Sequence, residues 1–171
     1  MVKALLVIDV QNGVFSWEGT RVCEGDSLVD TINGMIASAR ENGSPVGFIQ
    51  HQDEWLVPGS QLFELVSGLD ARPEVDLMVV KQHGSAFHGT SLEASLRGMG
   101  VDELVVCGLQ TEFCVDSTVR HAHTLGFPVT LVADAHSTYD SEVLKAAQII
   151  DHHNRTLGSY VNVVDSGAIT F

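Results

Sequence analysis

A chain of 171 residues, 44% of them hydrophobic, is long enough to bury a substantial core and predicts one domain over 1–171. Its formal net charge of -13 argues against a surface for nucleic acid or anionic membrane, because both need clustered Lys and Arg. Cys23, Cys107 and Cys114 are odd in number and lack CxxC spacing, which speaks against a disulfide framework or a zinc cage.

The opening MVKALLVIDV carries one Lys and breaks at Asp9, too early for a signal peptide or a membrane span, so the expected location is cytoplasmic. Residues 3–10 form a near-continuous apolar run, the pattern of a parallel strand covered on both faces. Gln11-Asn12-Gly13 ends it. From Asp26, a candidate N-cap, Leu28, Ile32, Met35, Ile36 and Ala39 recur at helical spacing up to Gly43, a candidate C-cap. A second strand is expected over 46–50. Residues 52–73 form a long connection with Trp55, Pro58 and Gly59 and one expected helical turn at 62–66. Connections of that length usually cover a functional site.

A third strand over 75–80 runs into Lys81 and HGSAFHG. Thr90 and Glu93 have capping-box spacing ahead of a helix carrying Leu92, Leu96 and Met99. A fourth strand over 104–107 leads through a glycine-containing turn to a helix over 114–125, which Gly126 stops. A fifth strand at 129–133, a helix at 141–157 and a sixth strand at 161–164 complete the chain. Strands alternating with helices predict an α/β fold, a three-layer α/β/α sandwich around a six-stranded parallel sheet.

In such sheets ligands bind beyond the carboxyl ends of the strands, at the switch in strand order. Asp9, Lys81 and Cys114 all fall at that edge. At a helix start, free N–H groups and the helix dipole favour a thiolate, so Cys114 is expected to have a lowered pKa. Asp9 is the candidate base and Lys81 the candidate cation, with the amides of Gln110 and Cys114 as an oxyanion hole. Cys107, inside a strand, and Cys23, in a loop, are read as inert.

DVQN after the first strand, Lys81 followed by HGSAF, and GLQTEFCVDSTVRHAHTLGF followed by DAHST resemble the isochorismatase-like superfamily of cysteine hydrolases. The likeness covers nearly the whole chain. It implies the strand order 3-2-1-4-5-6, a catalytic triad of Asp9, Lys81 and Cys114, and a cis peptide between Leu109 and Gln110. It also implies C–N hydrolysis of a small amide, carbamoyl or ureido compound through an acyl-enzyme, without a cofactor, in a homo-oligomer. Nicotinamidases of the superfamily place a metal-binding Asp-x-His after the second strand. Here that stretch reads Gln50-His51-Gln52, so no metal is expected and nicotinamide is a weaker candidate. Isochorismatases proper lack the cysteine, which makes enol-ether hydrolysis a lesser alternative. A non-catalytic homologue that binds a partner or ligand is the other.

Val14, Phe15, Trp17, Trp55, Phe87, Leu109 and Tyr139 are the apolar side chains available for a substrate pocket, with Gln11, His83 and Ser85 as polar ones. His121, His123 and the His152-His153 pair lack the i,i+4 spacing of a helical zinc site and are read as surface or hydrogen-bonding groups. Asp134 is read as structural, pairing with local backbone or Thr111.

Overall fold

The computed structural model describes residues 2–171. Its elements in chain order are β1 (Val2–Ile8), α1 (Asn12–Phe15), β2 (Ser16–Trp17), β3 (Thr20–Arg21), α2 (Gly25–Glu41), β4 (Val46–His51) and β5 (Leu77–Lys81). There follow α3 (Leu92–Gly98), β6 (Val101–Leu109), a π-helical turn (Thr111–Val115), α4 (Asp116–Thr124), β7 (Val129–Ser137), α5 (Ala146–Leu157), β8 (Asn162–Val164) and a 3-10 turn (Ser166–Ala168).

The sheet runs β5-β4-β1-β6-β7-β8 with every pairing parallel, which is the expected order. Because side chains alternate across a strand, β1 sends Ala4, Leu6 and Ile8 to one core and Leu5 and Val7 to the other. β6 does the same with Leu104 and Val106 against Val105, Cys107 and Leu109. Residues of α3, α4 and α5 cover the first face, and α2 covers the second with the chain end at Ile169 and Phe171. Both central strands are thus buried on both sides, which explains their unbroken apolar sequences. No helix among the described residues is long and apolar enough to cross a membrane.

Element ends depart from expectation for local reasons. Asp26 lies in the first turn of α2, paired with Arg21, and the N-cap is Glu24 in a left-handed conformation. The C-cap of α2 is Asn42, and Gly43, the candidate C-cap, follows it at φ +70°. Thr90 forms no capping box: its hydroxyl donates to the Ala86 carbonyl at 2.6 Å, and Ser91 is the N-cap of α3. Residues 141–145 form a turn whose Ser141 hydroxyl accepts from Leu144 N, so α5 begins later than predicted, at Ala146. β6 and β7 are longer than predicted and carry the edge further out.

The long connection after β4 holds no helix; the expected turn at 62–66 lies slightly earlier, with Glu64 N bonding to Ser60 O at 3.2 Å. Backbone bonds staple it to the segment after β1, with Asn12 N donating to Glu64 O at 2.8 Å and Val66 N to Val10 O at 3.0 Å. Arg40 of α2 clamps its far end through Asp70 at 2.7 Å and Asp76 at 2.6 Å.

Candidate active site

The switch in strand order lies at β1, which is flanked by β4 and β6. Asp9 follows β1, the π-helical turn follows β6, and Lys81 ends β5, two strands from β1. Neighbouring parallel strands are about 4.8 Å apart, so only a long side chain reaches from β5 past β4 to Asp9. Lys81 does so. It is fully buried, and its Nζ donates to Asp9 Oδ2 at 2.7 Å.

The same ammonium contacts Cys114 Sγ at 3.2 Å and His51 Nδ1 at 3.2 Å. An ammonium has three donors, and these three contacts use them all. The arrangement makes His51 Nδ1 an acceptor and leaves Nε2 as the protonated nitrogen, 3.7 Å from Asp53 Oδ2. Burial, together with the Lys81 charge, pushes the His51 pKa down, consistent with a neutral ring.

His51 was weighed in the sequence only as a metal ligand. Its place at the end of β4, in register with Lys81, is the signal that identifies it as part of the network. Asp9, His51 and Cys114 do bring ligand atoms within 4.8 Å of one another, but the Lys81 ammonium holds the position a cation would take. That donor set does not fit a metal while Lys81 is charged.

Gln50 turns away from this group, its amide donating to Phe63 O at 3.0 Å. Gln11 is likewise structural: it is fully buried, donates to His51 O and Phe63 O, and accepts from His51 N at 2.7 Å.

Asp9 adopts a left-handed backbone at φ 49°, uncommon for a non-glycine residue. Its Oδ1 is buried and has no hydrogen-bond partner among the described residues. Burial raises its carboxyl pKa, against the opposing pull of Lys81. Cys114 departs from the expected thiolate. Burial and then the Asp9 charge push its thiol up to about 12, outweighing Lys81, which favours the neutral thiol.

Gly108 sets the approach of β6 to β1. It lies at φ +116°, and a Cβ there would sit 2.6 Å from Ile8 N and 2.9 Å from Ile8 C, so no other residue fits. The Leu109-Gln110 peptide is cis, as the resemblance implied. The turn beyond it is π-helical, with Val115 N bonding to Gln110 O at 3.2 Å, a form seen mostly at functional sites. The Gln110 N–H has no acceptor among the described residues.

A cavity of about 590 Å³ reaches this edge at Gln110 and is walled by Val14, Trp17, Trp55, Leu56 and Tyr139, with Glu18, Asp53 and Asp140 at its margins. Four of the proposed pocket residues, Val14, Trp17, Trp55 and Tyr139, therefore meet around one space. The others do not. Phe15 is buried under α2, its ring 2.8 Å from where a Cβ on Gly25 would sit. Phe87 is 7% exposed and stacks on Phe127 in the core, and His83 is exposed and stacks on His88 at 4.0 Å. Ser85 bonds His121 at 2.8 Å, and Leu109 lies in the core beneath the turn. Asp134 accepts from Ser166 rather than Thr111. Thr111 instead bonds His136 Nδ1 at 2.9 Å, a buried contact that the sequence did not suggest.

Comparison with known proteins adds an independent line. The isochorismatase domain model matches residues 3–155. The chain belongs to the isochorismatase family. A streptothricin hydrolase of Streptomyces noursei is 35% identical over 98% of this isochorismatase-family chain, which spans 63% of that relative's length. A ureidoacrylate amidohydrolase of Pseudomonas syringae is 27% identical, over 98% of this chain and 83% of its own. A solved isochorismatase family protein superposes with a TM-score of 0.90 at 37% identity, covering 94% of this chain and 96% of that one.

Proposed function

We propose that this isochorismatase-family protein is a hydrolase of C–N bonds in small amide, carbamoyl or ureido compounds, with Cys114 as nucleophile. The observation that carries the reading is the Lys81 ammonium shared among Asp9, Cys114 and His51. The hydrolase activity named in the streptothricin hydrolase relative supports the reaction class, and the amidohydrolase activity named in the ureidoacrylate relative supports the bond type.

The neutral thiol gives its proton to Asp9, whose unpaired Oδ1 has free acceptor capacity. As that proton leaves, the thiolate is stabilised by the Lys81 ammonium and adds to the substrate carbonyl. The unused Gln110 N–H is suited to the oxyanion. Collapse breaks the C–N bond, and Asp9 returns the proton to the departing nitrogen. Asp9 then deprotonates a water that attacks the thioester, releasing the acid and restoring the thiol. Atoms and charge balance with the substrate and one water.

The complete network argues against a purely ligand-binding homologue, since burying a lysine, a carboxylate and a thiol together is costly without a chemical use. The test is ammonia or amine release across a panel of small amides and ureides by the wild type and Cys114→Ala. The wild type is expected to turn over at least one compound and Cys114→Ala to lose it. Turnover surviving in Cys114→Ala overturns the mechanism.

A further inference from the structure

We infer that the cavity that reaches the strand edge at Gln110 selects an amide whose remote end carries a positive charge, an ammonium or amidinium group. The inference rests on the reading of Cys114 as the hydrolytic nucleophile and names the substrate class of that site.

Three observations converge on it. The first is the wall. Trp17 and Trp55 meet edge to face at 90°, with ring centroids 6.1 Å apart, and remain 44% and 60% exposed. Rings that pack for stability alone are buried, and two perpendicular indoles beside a cavity present the kind of π surface that attracts a cation. Tyr139 adds a third ring, fixed by its hydroxyl donating to Val14 O at 2.9 Å.

The second observation is charge. The ionisable side chains that line the cavity, apart from Tyr139, are Glu18, Asp53 and Asp140, with no Lys or Arg among them. Asp140 is already paired with Lys145 at 2.8 Å and holds the start of α5 through Ala146 N. Asp53 uses Oδ1 on the amides of Trp55 and Leu56, at 2.8 and 2.7 Å, and keeps Oδ2 toward His51. Glu18 has no hydrogen-bond or ion-pair partner among the described residues, and its backbone is left-handed at φ 48° in the β2–β3 hairpin. A carboxylate substrate entering here would meet two like charges and no counter-charge. Ureidoacrylate, named in one relative, carries such a carboxylate, so this pocket suits a different member of the amide class.

The third observation is the arrangement. Lys81, the cation at the strand edge, has all its donors committed to Asp9, His51 and Cys114, so it leaves no donor for a substrate anion. The charged end of the ligand therefore lies in the aromatic part of the cavity, and the scissile carbonyl at the Gln110 end.

The two tryptophans that line the cavity are the only two in the chain, so intrinsic tryptophan fluorescence reports this cavity directly. The test titrates that fluorescence with choline and with 3,3-dimethylbutan-1-ol, its uncharged isostere. Choline is expected to produce a saturable change with roughly tenfold or greater preference over the alcohol, the range of a cation–π contact reinforced by carboxylates. The preference is expected to fall at least threefold in Glu18→Gln and in Asp53→Asn; the latter keeps the Oδ1 acceptor that the loop needs. Equal affinity for the two probes, or no saturable change with choline, overturns the inference.

Turnover of β-alaninamide, butyramide and succinamate, which differ at one end in being cationic, neutral and anionic, separates this inference from the reading it rests on. Choline selectivity with no amide hydrolysed leaves the charge preference standing and removes the amidase reading. Cys114-dependent hydrolysis in which succinamate matches or exceeds β-alaninamide keeps the amidase reading and removes the charge preference.

Discussion

The strand edge that carries Asp9, Lys81 and Cys114 and the loop wall that carries Trp17, Trp55 and Tyr139 adjoin at Gln110, yet they are held by different forces. At the edge each polar atom is positioned by a neighbour inside a buried layer: Lys81 is fully enclosed, Asp9 is 1% exposed, and Gly108 lets two backbones touch. At the loop wall the indoles of Trp17 and Trp55 are exposed and Tyr139 is half-buried, and the backbone is held by turns and by hydrogen bonds such as Tyr139 to Val14. The difference separates roles. Under the proposed hydrolase reading, chemistry is fixed where geometry is over-determined, and substrate choice is left where substitutions cost little stability.

The comparison breaks most visibly at Lys81. Lys81→Met leaves Asp9 buried without its counter-charge, and such single-partner removals cost about 3–5 kcal/mol. Chemical denaturation near pH 7 is expected to show that loss, with turnover falling at least ~1000-fold in the same variant. Lowering the pH is expected to recover part of the stability, because protonation removes the unpaired charge. The double variant Asp9→Asn/Lys81→Met is expected to recover most of it. A stable single variant would mean that the pair is not the buried unit described.

Gly108→Ala tests the backbone contact between β6 and β1. A Cβ overlapping Ile8 forces strands apart and is expected to cost about 3 kcal/mol or more, with loss of activity. Thermal unfolding measures the effect, and an unchanged midpoint would contradict the close approach.

His136 sharpens the comparison from beneath the edge. Its Nε2 meets Asn154 Oδ1 at 2.8 Å, so Nε2 carries the proton and Nδ1 accepts from Thr111, the first residue of the π-helical turn that holds Cys114. Burial lowers its pKa from 6.5 to about 4. The unfolded chain then binds the extra proton first, so stability is present above about pH 6.5 and is lost as pH falls toward 4. A slope of about 1.4 kcal/mol per pH unit over that window totals about 3 kcal/mol. His136→Gln is expected to flatten that part of the pH–stability curve; an unchanged slope would assign it to other groups.

The smallest effect belongs to the loop wall. Trp17→Ala is expected to raise KM about tenfold while moving stability by less than ~1 kcal/mol, since the ring is largely exposed. A fall in kcat alone, or a large loss of stability, would place Trp17 with the edge instead.

What the sequence revealed follows the same division. The unbroken apolar runs of β1 and β6 announced strands covered on both faces, and the groups at the ends of β1, β5 and β6 marked the edge, so Asp9, Lys81 and Cys114 were legible as a group. The thiol's protonation state was not, because it depends on how deeply the thiol is buried with the Asp9–Lys81 pair. His51 was hidden because its neighbours Gln50 and Gln52 gave no sign of which face it occupies. Gln11 looked like a ligand contact, yet its amide, like that of Gln50, serves backbone groups, at Phe63 and, for Gln11, also at His51. Phe15 and Phe87 could not be told from Val14 and Tyr139, since aromatic character does not say whether a loop residue turns into the core. Helix starts at Asp26 and Thr90 were misread because both side chains found other partners, Arg21 and the Ala86 carbonyl.

The most direct test of the account traps the acyl-enzyme. The wild type is quenched in acid during turnover of a hydrolysed amide, and the Cys114 peptide is read by mass spectrometry. The account predicts a hydroxylamine-labile adduct of the acyl mass on Cys114, and no turnover in Cys114→Ala. Full turnover with no adduct on Cys114, or an adduct on another residue, would contradict it.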